Sequence, residues 1–387
     1  MTEPTLRILL SAMVAGVPGQ SGIAWIALQY AMGLRRLGHE VLLVEPVDRG
    51  RLRPAGTPLA ASENAAWFGD VIRQFGLEDE AALLLTESRE TVGLTYERIR
   101  DWARRADLVL NVGGGLMDPD LLEPIPVRLY LDLDPGFTQL WQVVEGIDMR
   151  FDGHTHFATV GLTLGQPECP VPTCGIDWIP TPQPVVLEEW PFANGIERKA
   201  LTTIANWRGY GSVELDGVLY GQKAHSLRRF IDLPRRTAAR FDLALAIDPG
   251  ESQDLVALAE NGWNLIDPAV VTGTPDEYRR FIQGSHGEFG IAKSGYVEAR
   301  CGWFSDRSVC YLASGRPVIA QDTGFGSVLP TGEGLFAFRT AVEVEEAIDA
   351  LARDYETQRR AARAIAEECF DSDVVLSSLL NRLGLAA

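Results

Sequence analysis

The feature that most constrains this 387-residue chain is an alternation of short apolar runs with amphipathic stretches that proceeds, stops, and starts again. Residues 6–12 are an apolar run of strand length, 15–22 a glycine-rich loop, 23–37 an amphipathic helix pattern closed by Gly38, and 40–44 a second apolar run. An apolar run buried on both faces reads as a parallel strand and the following helix as its crossover, so these fifty residues predict a βαβ unit. Gly38 supplies the left-handed residue that ends such a helix. The alternation continues with helices near 60–75 and 95–105 and strands at 108–112, 127–133 and 156–161. Over 166–191 seven prolines replace helical periodicity, which suits an extended linker. The pattern then resumes with strands at 200–205, 243–247, 263–266, 289–292 and 317–320. Helices are expected between them at 221–230, 252–260, 275–282 and 307–313, and then at 342–353. A helical stretch at 356–383, interrupted at 371–373, closes the chain.

The expected fold class is therefore α/β, with two doubly wound Rossmann-like domains facing each other across a cleft. Residues 1–190 make the first domain and its proline-rich linker, 191–365 the second, and 366–387 a C-terminal helix free to pack back on the first. Each domain is long enough to bury its own core without disulfides or metals. The formal charge of −18 is spread along the chain, which argues for solubility and against nucleic acid or anionic membrane as the partner. Five cysteines, at 169, 174, 301, 310 and 369, are an odd number at irregular spacings. That fits a reducing compartment, and with no apolar run of about 18 residues the expectation is a cytoplasmic protein without a transmembrane segment.

In open α/β sheets ligands bind beyond the carboxyl ends of the strands, so the loops that follow strands carry the candidates. The segment Arg300-Cys301-Gly302-Trp303-Phe304-Ser305-Asp306-Arg307-Ser308 leads into a helix. A helix N-terminus offers free N–H groups and the positive end of the helix dipole, and Ser305, Arg307 and Ser308 add side-chain donors suited to a diphosphate. The next strand ends in Gln321-Asp322-Thr323-Gly324, a turn rich in groups that could bind sugar hydroxyls. Asp306 or Ser305 acting only as a helix cap is the plainer reading of the first loop.

The run Arg300 to Ser305 resembles the His-Cys-Gly-Trp-Asn-Ser loop of natural-product glycosyltransferases. Leu312-Ala313-Ser314-Gly315-Arg316-Pro317-Val318-Ile319-Ala320 resembles the Ala-x-Gly-x-Pro-Val run of GT-B transferases, and Gly38-His39-Glu40-Val41 is similar to their N-terminal opening. The resemblance implies a metal-independent glycosyltransferase with no cofactor beyond its co-substrate, a nucleotide-diphosphate sugar. The donor would lie on the C-terminal domain and a small-molecule or glycan acceptor on the N-terminal one. Arg208 and Lys223, after the first strand of the second domain, match where such enzymes hold phosphate. Arg300 stands where the family has its histidine, two extra residues precede Gly315, and Cys310 replaces the second member of the glutamate pair of many retaining enzymes. Stereochemistry stays open on these residues, as does oligomeric state.

Catalysis by inversion needs a base from the N-terminal domain, and Asp134, with Asp132 behind it, follows a strand that ends toward the cleft. Asp132-x-Asp134 also looks like the metal-binding pair of GT-A transferases, but a diphosphate-type loop in a second sheet argues for GT-B. His286, in Gly284-Ser285-His286-Gly287, is a further candidate for the base or ribose. Gly113-Gly114-Gly115 and 16–22 do not make a dinucleotide fingerprint. A nucleotide-sugar epimerase or hydrolase, or a non-catalytic nucleotide-sugar binder, would use the same scaffold.

Overall fold

The computed structural model describes residues 5–385; the outermost residues of the expected domains, 1–4 and 386–387, lie outside the described residues. The first sheet is built from β1 (Arg7–Ser11), β2 (Glu40–Val47), β3 (Ala81–Leu85), β4 (Thr91–Gly93), β5 (Leu108–Val112), β6 (Val127–Asp132), β7 (His156–Thr159) and β8 (Ile179–Pro180). Its order is β4-β3-β2-β1-β5-β6-β7-β8, parallel except where β4 runs antiparallel to β3. After β9 (Arg198–Asn206) comes a hairpin of β10 (Val213–Leu215) and β11 (Val218–Tyr220). The second sheet adds β12 (Phe241–Ala246), β13 (Asn264–Ile266), β14 (Ser285–Gly290), β15 (Val318–Gln321) and β16 (Leu335–Phe338) in the order β13-β12-β9-β14-β15-β16, all parallel.

In each sheet the order reverses beside the central first strand, between β1 and β5 and between β9 and β14. Crossover helices leave to opposite faces there, and the gap between them is where such sheets bind ligands. Leu9, Leu10, Leu108 and Val109 are wholly or almost wholly buried, as strands covered by helices on both faces must be.

Several elements differ from the sequence reading. The helix expected at 221–230 is a helix Lys223–Leu227 followed by a 3-10 turn, and the strand expected at 289–292 is β14, four residues earlier. The proline-rich stretch contributes β8, which pairs with β7 at the sheet edge, where proline's missing N–H costs no ladder bond. Strand β3 is five buried residues whose alanines and leucines suit a helix as well as a strand.

The two units are packed together. Ser21 Oγ donates to the Thr272 carbonyl at 2.6 Å and Trp25 Nε1 to that of Pro275 at 3.0 Å, tying the helix Ser21–Arg36 to the second unit. The last helix, Ser372–Arg382, crosses to the same helix of the first unit, where a methyl on Gly33 would sit 2.6 Å from Leu376 Cδ1. On the other side Phe137 packs on Gly295, so closely that an added Cβ there would lie 2.4 Å from its ring.

Candidate functional site

The carboxyl ends of the two sheets face one another across a cleft of about 1350 Å³. Its N-terminal wall comes from the loops after β1, β2, β5 and β6, and its C-terminal wall from those after β9, β12, β13 and β14, together with residues 303–307.

The C-terminal wall concentrates positive charge. The chain has only three lysines, at 199, 223 and 293, and two of them, Lys223 and Lys293, line this cleft beside Arg307. Gln222 shapes the approach: its Oε1 accepts from Gly209 N at 3.1 Å and its Nε2 donates to the Gly211 carbonyl at 3.1 Å, fixing the glycine-rich loop beside Lys223. Lys223 Nζ donates to the Ile291 carbonyl, and among the described residues no carboxylate pairs with it. Burial, and then the charges of Arg307 and Lys293, hold its pKa well below the usual lysine range, with Glu288 opposing only weakly. Glu288 is itself spent on Arg307, whose Nε lies 2.6 Å from it, while Arg307 Nη1 donates to the Ile204 carbonyl at 2.9 Å.

The helix Asp306–Ala313 begins at this wall. Ser305, Asp306 and Arg307 line the cleft, and Ser305 makes no side-chain cap to the first turn. Burial raises the pKa of Asp306, the charge of Arg307 being the largest opposing effect. The first N–H groups of the helix therefore start next to Lys223 and Arg307, an arrangement that favours an anion.

Asp132 and Asp134 both line the cleft but have different surroundings. Asp132 is buried and accepts from Thr138 Oγ1 at 2.7 Å, Thr159 Oγ1 at 2.9 Å, Gln139 Nε2 at 3.1 Å and Asp134 N at 3.0 Å. Its burial raises its pKa despite these donors, and it organises the 132–139 loop. Asp134 keeps 40% of its side-chain surface open and is met across the cleft by Lys293 Nζ at 3.3 Å, Tyr210 Oη at 2.7 Å and Tyr296 Oη. Desolvation works against its charge, but Lys293 and the two hydroxyls outweigh it, so its pKa is lowered. With Asp132 saturated by four donors and Asp134 held by lysine and tyrosines, the pair does not present two free carboxylates to a metal. Among the described residues no group of three or more His, Cys, Asp or Glu is placed to hold a metal ion.

The other sequence candidates are not brought to the cleft lining. Arg208 is exposed at the rim and pairs with Glu251. Arg300 ends the helix Ser294–Ala299 in a left-handed conformation, with its backbone carbonyl accepting from Thr163 Oγ1 at 2.7 Å and its side chain exposed. Ser308 is buried behind the helix start. Asp322 accepts from Gly324 N at 2.9 Å and from Arg339 Nη2 at 2.6 Å, Thr323 Oγ1 donates to the Trp303 carbonyl at 2.6 Å, and Gly324 abuts the Arg300 carbonyl. That turn buttresses the 300–303 loop from behind. His286 stacks on Tyr355 at 4.1 Å.

Sequence reasoning missed Lys293, Tyr210 and Tyr296. Lys293 was signalled by its position just past β14 and by the rarity of lysine in an arginine-rich chain. Glu45, which comes close to the acidic position of a dinucleotide fingerprint in the sequence, is buried near the end of β2, accepts from Ala15 N at 2.7 Å and Gly16 N at 2.6 Å, and its burial pushes its pKa up to about 7.

No protein-family model and no curated protein matches the sequence. Solved structures do match. An alpha-glucosyltransferase in complex with UDP-glucose and DNA containing an abasic site is similar over 98% of this chain and 100% of its own, with a TM-score of 0.60 at 11% identity. AviGT4, a glycosyltransferase involved in avilamycin A biosynthesis, is similar over 98% and 97%, with a TM-score of 0.54 at 15% identity. Anabaena Alr3699/HepE in complex with UDP and glucose is similar over 98% and 99%, with a TM-score of 0.56 at 12% identity. The chain has the GT-B fold. At these identities the likeness is one of fold, and it extends over both halves of the GT-B architecture.

One expectation is corrected. Nucleic acid was excluded on net charge, yet four alpha-glucosyltransferase structures that share this GT-B fold hold DNA. Net charge is a sum over the whole surface, whereas a phosphate meets only the local field, and in this chain cations collect in the cleft. No helix among the described residues is long and apolar enough to cross a membrane.

Proposed function

We propose that this protein is a glycosyltransferase that moves a sugar from a nucleotide-diphosphate donor on the C-terminal wall of the cleft to an acceptor hydroxyl on the N-terminal wall. The observation that carries this reading is Lys223, a lysine enclosed beside Arg307, Lys293 and an uncapped helix start with no carboxylate of its own. Holding that charge costs the free protein energy, and a diphosphate would return it. As the sugar leaves, negative charge grows on the diphosphate, and prearranged cations and N–H groups stabilise it without reorganisation. Lys223, Arg307 and the helix start can supply this, so the proposal includes no metal. Ser305 and Asp306 complete the phosphate wall. Asp134 would contact the acceptor hydroxyl, with Asp132 positioning its loop. The acceptor would be a small molecule, a glycan or a nucleic acid, the last because neighbours of this fold hold DNA. Five free cysteines support a reducing, cytoplasmic setting.

UDP is the first nucleotide to test, because it is bound in several of the solved structures of this fold. Thermal shift with UDP, GDP, dTDP and ADP should show a rise for one of them. No rise with any of the four would remove the donor site. Release of free nucleotide only when acceptor is added separates transfer from hydrolysis, epimerisation and mere binding.

A further inference from the structure

The N-terminal wall carries three arginines, Arg51, Arg53 and Arg150, and among the described residues none of them forms an ion pair. The chain has 53 acidic side chains against 35 basic ones, and elsewhere Arg36 holds Glu188 and Asp373, Arg89 holds Asp118 and Asp120, and Arg279 holds Glu189 and Asp276, whereas these three arginines share one cleft wall without a carboxylate partner. The acids on the same wall are already engaged. Glu45 is bonded to backbone N–H groups, Asp48 accepts from Thr86 Oγ1 at 2.9 Å, Asp132 has four donors, and Asp134 is held by Lys293. Arg150 has a left-handed backbone (φ 62°), which for a residue other than glycine costs about 1 kcal/mol, and its guanidinium reaches the Gly114 carbonyl at 3.5 Å. Arg51 and Arg53 follow β2, whereas Arg150 sits against the loop after β5. Two strand spacings, about 10 Å, separate those anchor points.

We propose that the acceptor is a phosphate-bearing molecule with phosphates at more than one position, one set within reach of Arg51 and Arg53 and another within reach of Arg150. The inference rests on reading the cleft as a donor–acceptor site and assigns its acceptor half. Arginine's planar fork matches phosphate oxygens in pairs, and three unpaired forks on one wall give that recognition without breaking any existing ion pair. A phosphodiester chain and a bisphosphorylated sugar both present such spaced charges.

The test uses the full-length protein, the double variant Arg51→Gln/Arg53→Gln, and Arg150→Gln, with saturating UDP occupying the donor half. The probes are a single-stranded DNA oligomer, fructose 1,6-bisphosphate and glucose 6-phosphate, with fructose, glucose and glucuronate as controls. The oligomer and the bisphosphate should bind, glucose 6-phosphate with its single phosphate should bind about tenfold more weakly than the bisphosphate, and each variant should weaken the oligomer and the bisphosphate about tenfold or more while UDP affinity stays within about twofold. Preference for DNA, with a steep loss of affinity on adding salt, would identify a nucleic-acid source; preference for the bisphosphate would identify a small molecule. Equal binding of phosphorylated and plain sugars, preference for glucuronate, or unchanged affinity in both variants would overturn the proposal. If UDP fails to bind the wild type, the donor reading fails instead, and the same probes measured without UDP still decide the arginine wall.

Discussion

Replacing Lys223 with methionine separates a lysine held for a ligand from one held for the fold. A methionine fills the same volume without charge, and Lys223 gives up only one bond, to the Ile291 carbonyl. In the free protein burial and the charges of Arg307 and Lys293 depress the Lys223 pKa. Each unit of depression costs the charged fold about 1.4 kcal/mol. The unfolded chain binds this proton up to about pH 10.4 while the folded chain releases it earlier, so stability rises with pH from the depressed value to about 10.4 and is level above it. Lys223→Met should abolish that rise and leave the free protein at least as stable at pH 7, read as the urea midpoint across pH. A charge-assisted contact to phosphate contributes about 1.5–3 kcal/mol, so the variant should bind UDP about tenfold to about a hundredfold more weakly by calorimetry. Because the diphosphate favours the charged lysine, UDP binding by the wild type should also take up protons at alkaline pH, and binding by the variant should not. Unchanged UDP affinity, or a variant that merely loses stability like any damaged core, would refute the reasoning.

Glu45 makes the opposite pH signature. Its folded pKa of about 7 lies above its ordinary 4.5, so the fold holds a proton that the unfolded chain releases. Stability should fall by roughly 3 kcal/mol as pH rises from about 4.5 to 7 and then level off, and Glu45→Gln should remove that slope in urea titrations. Gly295→Ala places a methyl 2.4 Å from the Phe137 ring, where the two units meet near Asp134, and should cost about 1–3 kcal/mol in urea unfolding; a neutral result would mean that the Phe137 loop moves freely.

Periodicity was enough to read two doubly wound sheets, because parallel strands buried on both faces and their crossover helices carry strong, different patterns. It failed where one pattern serves two structures. The alanine and leucine run of β3 reads equally as a buried helix, and β14 begins at Ser285-His286-Gly287, which reads as a turn. The helix start at 305–307 was legible because a strand-end loop and an N-terminus are local features. The fates of Arg208, Arg300 and Asp322 were not, since each is settled by a residue distant in sequence: Glu251, Thr163 and Arg339. The Asp134 cluster was half legible for the same reason. Its carboxylate follows a strand that can be read, but Tyr210, Lys293 and Tyr296 reach it from the other sheet.

Lys293 ties the two halves of the cleft into one electrostatic unit. It lies 3.3 Å from Asp134 on one side, and on the other its charge contributes to depressing the Lys223 pKa. In the free protein Asp134 is its counter-ion, and this contact helps to keep the Asp134 pKa low. A carboxylate held in that way is a poor proton acceptor. A diphosphate arriving beside Lys223 and Arg307 would give Lys293 a second anion to neutralise. The share of its charge left for Asp134 would then fall and the proton affinity of Asp134 would rise, so under the proposed function the carboxylate would become competent as a base only once the donor is in place. Linkage requires the converse: removing the Asp134 charge must strengthen donor binding. Asp134→Asn should therefore bind UDP several-fold more tightly than wild type while transferring little or no sugar. UDP bound equally or more weakly by that variant would show that the two walls titrate independently, and Asp134 would then have to act without any signal from the donor.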